Sequence, residues 1–209
     1  MPGARVPETL PPVLLRPGGV ERRAGGSAAP PAGRGAAMSI DLRRYIGDVP
    51  NFPKQGILFR DITPLLREPG ALAASIRLLA GAAERPQAVV AIESRGFIFG
   101  VGLALHWDVP FVPARKFGKL PGNTVREIYS LEYGEDSLEI RADALERGQR
   151  VVIVDDLLAT RGTARATARL VEAVGARVES LLFLIELEGL GGRDRLGGRA
   201  VHALLQLPA

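Results

Sequence analysis

Residues 151–163 read VVIVDDLLATRGT and carry the clearest structural signal in the chain. The four β-branched apolar residues at 151–154 predict a buried strand that ends at two adjacent carboxylates, Asp155 and Asp156. A short loop of small and hydroxylated residues follows, and a helical pattern begins at Ala164. This order places acceptors for sugar hydroxyls close to donors for a phosphate, and a sugar phosphate needs both.

The loop at 159–163 suits an anion because it leads into a helix. The first backbone N–H groups of a helix lack intrahelical partners and carry partial positive charge. Gly162 lets the backbone approach an anion closely, and Thr160 and Thr163 add hydroxyl donors. The adjacent carboxylates can only accept hydrogen bonds, so they suit two neighbouring ribose hydroxyls. The simpler alternative is a buried strand followed by a helix that Thr163 caps.

Two other nucleotide-binding patterns fit less well. P-loop NTPases also have an apolar strand that ends in acidic residues, but they need a Gly-x-x-x-x-Gly-Lys-Ser/Thr loop, which the chain lacks. The glycines within 189–192 suggest a dinucleotide fingerprint, but its third glycine would fall at Asp194. We therefore expect 189–192 to form a turn before a short helix.

Composition limits the possible functions. The chain has 209 residues, of which 46% are hydrophobic, enough for one domain with a sizeable core. It contains no cysteine, which excludes disulfides and thiolate catalysis, and its two histidines show no metal-site spacing. No apolar run approaches the ~20 residues of a membrane span. Five basic and two acidic residues lie in 1–37, so 22 basic and 21 acidic residues remain in 38–209. We therefore expect neither a nucleic-acid nor a membrane partner.

Residues 1–37 and 38–209 differ in pattern. The first segment is rich in Pro, Gly and Ala without an apolar period, which predicts a disordered extension, and Met38 is the expected natural start. In 38–209, strands alternate with helices, which predicts an α/β domain with a mostly parallel sheet flanked by helices. The predicted helices are 39–46 (capped by Ser39), 70–84, 97–107 and 164–174, and the predicted strands are 87–92, 109–114, 127–132, 137–140, 151–154, 177–186 and a short one ending at 207.

Three further motifs add to the signal. Residues 93–97, ESRGF, place Arg95 between a strand end and a helix start, where it can bind an anion bidentately, although alone it would be an exposed turn residue. Residues 115–127 are polar, basic and broken by Gly118, Pro121 and Gly122, and their first part, RKFGKLPG, puts three cations in five residues, which favours a mobile lid over a solvated face. Residues 52–61, FPKQGILFRD, predict at least a hairpin packed on the core.

Together these four motifs resemble the type I phosphoribosyltransferases, which use phosphoribosyl pyrophosphate (PRPP). The sequence DDLLAT at 155–160 and the 51–61 segment are most similar to the adenine-specific members, and the resemblance covers about 40–207. It implies a domain with a small hood and a flexible loop that transfers phosphoribosyl from PRPP to adenine, giving AMP and pyrophosphate. Two alternatives stay open: the same reaction on hypoxanthine, guanine or xanthine, and a PRPP-sensing regulator without catalysis.

The resemblance also implies roles for individual residues. It makes Glu132 the acid/base group near the purine and gives Asp155 and Asp156 the ribose hydroxyls. The 5′-phosphate would be held by Ala159, Thr160, Arg161, Gly162 and Thr163. Pyrophosphate would be held by Arg95, Arg115, Lys116, Lys119 and Tyr129, and adenine by Leu58, Phe59, Arg60 and Leu187. Mg²⁺ would arrive with PRPP rather than in a protein site of its own, and the protein would be a cytoplasmic homodimer.

Arg161 departs from the pattern of the adenine-specific family, which usually has glycine there. If the position requires a positive φ, arginine would be strained by about 1–2 kcal/mol. Related phosphoribosyltransferases with a Cβ at this position indicate that the fold tolerates one. The side chain would then add positive charge near the 5′-phosphate.

Overall fold

The computed structural model describes residues 40–130, 134–159 and 162–209, and these contain nine strands and four α-helices. The strands are β1 (Gly47–Pro50), β2 (Leu58–Asp61), β3 (Ala88–Ile92), β4 (Phe111–Lys116), β5 (Thr124–Ser130), β6 (Glu135–Arg141), β7 (Arg150–Leu158), β8 (Arg177–Glu188) and β9 (Ala200–Pro208). The α-helices are α1 (Thr63–Arg67), α2 (Pro69–Gly81), α3 (Gly96–Trp107) and α4 (Thr163–Ala173). Short 3₁₀-helices cover Leu42–Tyr45 and Asp194–Leu196.

Seven of these strands form one sheet in the order β5-β6-β4-β3-β7-β8-β9. The five strands from β4 to β9 in this order pair in parallel, whereas β5 and β6 form an antiparallel extension at the β4 edge. The predicted α/β class with a mostly parallel sheet is therefore confirmed. Because β3 and β7 are neighbours and run in the same direction, their carboxyl ends lie side by side.

The apolar run at 151–154 occupies the centre of this sheet. Its side chains alternate between the two faces: Val151 and Ile153 belong to the core that includes residues of α4, and Val152 and Val154 to the core that includes residues of α2 and α3. Helices therefore cover the sheet on both sides, which is why the run is apolar at every position rather than at every second one. Each such side chain contributes roughly 1.5–3 kcal/mol when fully buried.

The predicted hood is a two-stranded antiparallel hairpin of β1 and β2, with Pro50 opposite Leu58 and Asp48 opposite Arg60. Arg60 is buried and fixes this hairpin to the end of β9. One of its terminal nitrogens pairs with Asp48, and the other, Nη2, donates to the Pro208 carbonyl at 2.5 Å. The hairpin is therefore attached by a buried arginine as well as by apolar packing.

The first helix, the end of β7 and the Thr163 cap of the simpler alternative differ from what the sequence indicates. Ser39 lies outside the described residues, and Asp41 caps the first helix, which is a single 3₁₀ turn. Strand β7 does not end at Val154 but continues to Leu158, because β8 keeps pairing with it through Leu158. Helix α4 begins at Thr163 with Gly162 at the N-cap position and no side-chain cap, so capping by Thr163 is wrong.

Strand lengths also differ at the sheet edges. β4 extends to Lys116 and β5 begins at Thr124, so only 117–123 of the predicted loop 115–127 connects strands. The last strand, predicted to be short, has nine residues because all of it from Ala200 onward runs beside β8. The predicted extension at 1–37 lies outside the described residues. None of the described helices is long and apolar enough to cross a membrane.

Candidate active site

A cleft of about 300 Å³ opens where β3 and β7 end. It is lined by Glu93, Ser94, Arg95, Asp155, Asp156, Leu157, Ala159 and Thr163. The structure therefore brings the ESRGF motif and the 155–163 motif into one site, as expected for ligand binding at the carboxyl ends of parallel strands.

Asp155 sits against the first turn of α3. A Cβ atom at Gly96 would lie 2.9 Å from Asp155 Oδ1 and 2.9 Å from the Val154 carbonyl oxygen, so only glycine allows this close approach. Asp155 Oδ1 accepts a hydrogen bond from the backbone N–H of Asp156 at 2.9 Å. Burial, and then the neighbouring Asp156 charge, raise the pKa of Asp155 well above its usual value. The site therefore holds a carboxyl group that favours a proton.

Asp156 is 4% exposed and pairs with Arg95, whose Nε lies 3.0 Å from Asp156 Oδ2. Burial raises the pKa of Asp156, and the positive charge of Arg95 opposes this rise. Oδ2 accepts no well-directed hydrogen bond from the described residues, although it is buried. An acceptor of this kind needs a partner, and a ligand hydroxyl in the cleft could supply one.

Arg95 connects this carboxylate to the hood. Its guanidinium carbon lies 5.0 Å from the ring centroid of Phe59, a cation–π distance. Phe59 in turn meets the edge of Phe52, with ring centroids 5.1 Å apart. The resemblance implies that Arg95 binds pyrophosphate, and in the structure Arg95 contacts one predicted ribose residue, Asp156, and one predicted adenine residue, Phe59.

The backbone of β2 has hydrogen-bonding groups for a ligand. Pro50 has no N–H to donate, so Pro50 and Leu58 are expected to form a non-hydrogen-bonded pair of the antiparallel ladder. Hydrogen-bonded and non-hydrogen-bonded pairs alternate along such a ladder, so Asp48 and Arg60, two pairs further along, would also form a non-hydrogen-bonded pair. The register thus indicates that the backbone groups of Leu58 and Arg60 face away from β1. Leu187 lies beside Leu207, next to the Pro208 carbonyl that binds Arg60.

The cations after β4 are paired with carboxylates. Arg115 Nη2 donates to Glu93 Oε1 at 2.7 Å, and Glu93 Oε2 accepts the N–H of Lys116 at 3.0 Å. The hydrogen bond from Arg115 lowers the pKa of Glu93. Lys116 Nζ lies 3.2 Å from Asp136 Oδ2. Among the described residues, Lys119 differs in having no carboxylate within ion-pair distance of its ammonium.

Tyr129 packs beside Gly162, one of the residues predicted to hold a phosphate. A Cβ atom at Gly162 would lie 3.4 Å from Tyr129 Cβ, and the Tyr129 hydroxyl donates to Asp136 Oδ2 at 3.1 Å. Burial, and then the charge of Asp136, raise the pKa of Tyr129. Burial alone would raise the pKa of Asp136, but hydrogen bonds from Ser137 N–H, Lys116 and Tyr129 lower it. Tyr129 is therefore a neutral donor bound to an ionised partner.

A family model described as the phosphoribosyl transferase domain matches residues 60–194. The adenine phosphoribosyltransferase of Carboxydothermus hydrogenoformans is 54% identical over 169 residues, which is 80% of this chain and 99% of that protein. The chain belongs to the adenine phosphoribosyltransferase family.

Solved structures of the family agree with this placement. The enzyme from Thermoanaerobacter pseudethanolicus superposes with a TM-score of 0.77 at 50% identity, covering 79% of this chain and 98% of that one. The enzyme from Saccharomyces cerevisiae, solved with adenine and an imino-altritol bisphosphate, gives a TM-score of 0.74 at 43% identity, covering 78% and 96%. The resemblance expected from the four motifs is therefore confirmed.

Some site predictions fall outside the described residues, namely those for Glu132, Thr160 and Arg161, and they stay predictions. Sequence reasoning also missed three carboxylates of the site region: Glu93, Asp136 and Glu139. A signal existed for Asp136, which pairs with Tyr129 in the predicted hairpin. Glu93 follows a buried strand directly, as Asp155 does.

Proposed function

We infer that the chain transfers the 5-phosphoribosyl group of PRPP to N9 of adenine and releases pyrophosphate, a reaction of purine salvage that yields AMP. The observation that carries this inference is the cleft in which two adjacent carboxylates meet the start of α4, with Arg95 reaching from Asp156 to Phe59. A sugar phosphate and an aromatic base fit the two ends of this arrangement.

The reaction breaks the bond between C1′ of ribose and the pyrophosphate oxygen and forms the bond between C1′ and N9. The electron pair leaves with pyrophosphate, so ribose passes through an oxocarbenium-like state, as in glycoside cleavage. The N9 proton of adenine is lost to a base, for which we propose Glu132. The enzyme's part is to position the reactants and stabilise charge, and no protein nucleophile is required.

Asp155 and Asp156 are proposed to bind the ribose hydroxyls. The buried Oδ2 of Asp156, which Arg95 Nε approaches to 3.0 Å without a well-directed hydrogen bond, supports an acceptor role. Asp155 lines the same cleft beside it. The 5′-phosphate would lie on 159–163, where Ala159 and Thr163 line the cleft and Gly162 is the N-cap residue of α4. Thr160 and Arg161 complete this proposed loop.

The leaving pyrophosphate is proposed to meet Arg95, Arg115, Lys116 and Lys119, with Tyr129 donating at the phosphate end. Their ion pairs with Asp156, Glu93 and Asp136 support this role. Arg95, Arg115 and Lys116 are each already oriented by an anion, so little reorganisation of these three is needed when phosphate oxygens arrive. Closure of the 115–134 loop would exclude water that could hydrolyse PRPP.

Mg²⁺ is proposed to arrive bound to PRPP and to neutralise the leaving pyrophosphate. The donor set fits this role, because the cleft offers the Asp155 and Asp156 carboxylates, and Mg²⁺ prefers oxygen ligands and retains water. Within 40–130, 134–159 and 162–209, no three His, Asp or Glu side chains cluster as a metal site.

Adenine is proposed to stack on Phe59, with Leu187 on its other side. The outward-facing backbone of Leu58 and Arg60 supports this, since peptide groups can pair with both the exocyclic donor and the ring acceptors of adenine. Arg60 would hold this backbone in place through Asp48 and Pro208.

One assay tests the proposed function. The purified chain is incubated with PRPP, Mg²⁺ and each purine base in turn, and release of pyrophosphate is followed. Release with adenine alone is expected. Release with guanine or hypoxanthine instead would mean another base specificity, and binding of PRPP without release would mean a regulator.

A cytoplasmic homodimer is also proposed. The support is an apolar face on α3, where Ile98, Val101 and Leu105 are exposed, Leu105 by 77%. Exposed apolar side chains grouped on one surface favour a partner protein, here a second copy. Leu105→Glu should shift the mass in solution from dimer to monomer, measured by light scattering, and an unchanged dimer would mean that α3 is not the interface.

Residues 1–37 are proposed to form a disordered extension of the domain at 38–209. Their content of Pro, Gly and Ala without an apolar period supports this. Limited proteolysis should remove them first and leave the activity unchanged. Protection of this segment would contradict the proposal.

A further inference from the structure

Glu139 is a buried carboxylate for which the reaction described above has no use. It lies in β6, is 2% exposed, and is neighboured in register by two cations, Arg115 of β4 and Arg126 of β5. A buried carboxylate without hydrogen-bond partners would destabilise the fold, so the groups that donate to Glu139 indicate which part of the structure it holds in place.

Both oxygens of Glu139 bind the 117–123 connection and its exit. Oε1 accepts the backbone N–H groups of Lys119 and Leu120, each at 3.1 Å, and Oε2 accepts the Thr124 hydroxyl at 3.1 Å. The Lys119 N–H is shared with the Lys116 carbonyl at 3.2 Å, whereas Leu120 donates to Glu139. One side chain therefore fixes the middle of the connection from inside the sheet.

The fixed connection in turn orients Arg115. The Lys119 carbonyl accepts from Arg115 Nη1 at 3.0 Å, and Arg115 Nη2 donates to Glu93 at the cleft. Contacts thus run from Glu139 through the Lys119 peptide to the guanidinium and on to Glu93. Charge-assisted hydrogen bonds at both ends make this chain of contacts stiff.

We propose that Glu139 is a positioning residue for the pyrophosphate end of PRPP: it holds the 117–123 connection so that Arg115 and Lys119 face the cleft together. This inference rests on the proposed function, because it assigns the substrate group that the two cations bind.

The test compares Glu139→Ala, Glu139→Gln and Thr124→Val with Glu146→Ala, a matched control at an exposed glutamate. Glu139→Ala should raise the KM for PRPP about 10-fold or more, since it removes all three hydrogen bonds, and change the KM for adenine less than twofold. Glu139→Gln keeps an acceptor for the two peptide N–H groups and should restore most of the affinity. Thr124→Val should raise the KM for PRPP by about threefold, the loss of one hydrogen bond.

Titration with inorganic pyrophosphate by calorimetry should show the same order of affinities. A purely structural role would lower the active fraction, and hence kcat, without moving the KM for PRPP or the Kd for pyrophosphate, and that result would overturn the proposal. If Glu139→Ala does not fold, an unchanged KM in Thr124→Val contradicts it equally. Failure of the proposed function would look different: the unmodified protein would release no pyrophosphate with adenine, while the pyrophosphate titration would still rank the variants.

Discussion

The two halves of the site handle their carboxylates in opposite ways. Toward the carboxyl end of β7, Asp155 is half-buried, Asp156 is buried, and the pKa values of both are raised. Beside β4 and β6, Glu93 and Asp136 each accept hydrogen bonds from a cation or a hydroxyl and their pKa values are lowered. The half with Asp155 and Asp156, proposed to bind ribose, therefore contains carboxylates whose charged form is destabilised until a ligand binds. In the half with Glu93 and Asp136, proposed to lie near pyrophosphate, the charged carboxylates are already stabilised by their partners.

Asp155→Asn should produce the largest effect and tests the first half directly. Loss of the carboxylate should lower kcat by about 100-fold, comparable with losing one positioned electrostatic group. The same change should stabilise the protein at pH 7 by about 1–3 kcal/mol, since asparagine keeps the acceptor for Asp156 N–H and removes a poorly solvated charge. Activity assays and urea unfolding measure the two effects.

The pH dependence of that stabilisation has a definite sign. The folded-state pKa of Asp155 lies above its usual value of 3.8, so the folded protein holds the proton more tightly than the unfolded chain. Binding of this proton adds to the free energy of unfolding; the contribution is complete below pH 3.8 and is lost as the pH rises through the folded-state pKa. The advantage of Asn should therefore vanish toward pH 3.8. If Asp155→Asn is less stable than the parent protein at pH 7, Asp155 is not destabilised by its surroundings and the two halves of the site do not differ as described.

Phe59→Leu should give the next largest effect. It also tests whether Arg95 is held in place mainly by Asp156 or by the Phe59 ring. Removing the ring should raise the KM for adenine by about 10-fold, within the range for losing a base-stacking partner. If Arg95 is held mainly by Asp156, the KM for PRPP should change less than twofold. A rise in both constants would mean that the ring also holds Arg95 in the ribose half. Initial rates measured with each substrate varied separate the two results, and Leu78→Ala, at an exposed apolar side chain of α2, is the control.

Glu93→Gln should have the smallest effect and the opposite sign from Asp155→Asn. The pair of Glu93 and Arg115 is partly exposed, so its loss should destabilise the protein by only about 1 kcal/mol at pH 7. The pKa of Glu93 is lowered in the fold, so its contribution is present above the usual value of 4.5 and is lost as pH falls through the folded-state pKa. Thermal melts at pH 7 and in acid, with 1 M salt as a control for screening, check both statements. Equal stability of variant and parent at pH 7 would show that this half is not satisfied as described.

The same contrast separates what the sequence could and could not predict. The VVIVDD run placed its carboxylates at a ligand site because apolar periodicity is local and strands end in known directions. The pairing of Arg115 with Glu93 and the burial of Glu139 depend on β4 lying between β3 and β6, a non-local order that no local pattern encodes. For the same reason β7 runs past Asp156, since the length of β8 decides where pairing stops.

The central position of β7 has a consequence for how the protein opens. Residues 151–154 are paired on both edges and covered on both faces, so their amide hydrogens should exchange with solvent only when the whole domain unfolds. The β1–β2 hairpin has a single pairing and should exchange much faster. The two carboxylates proposed to bind ribose therefore directly follow the segment expected to exchange most slowly. The residues of β2 proposed to bind the purine lie in a hairpin expected to exchange much faster.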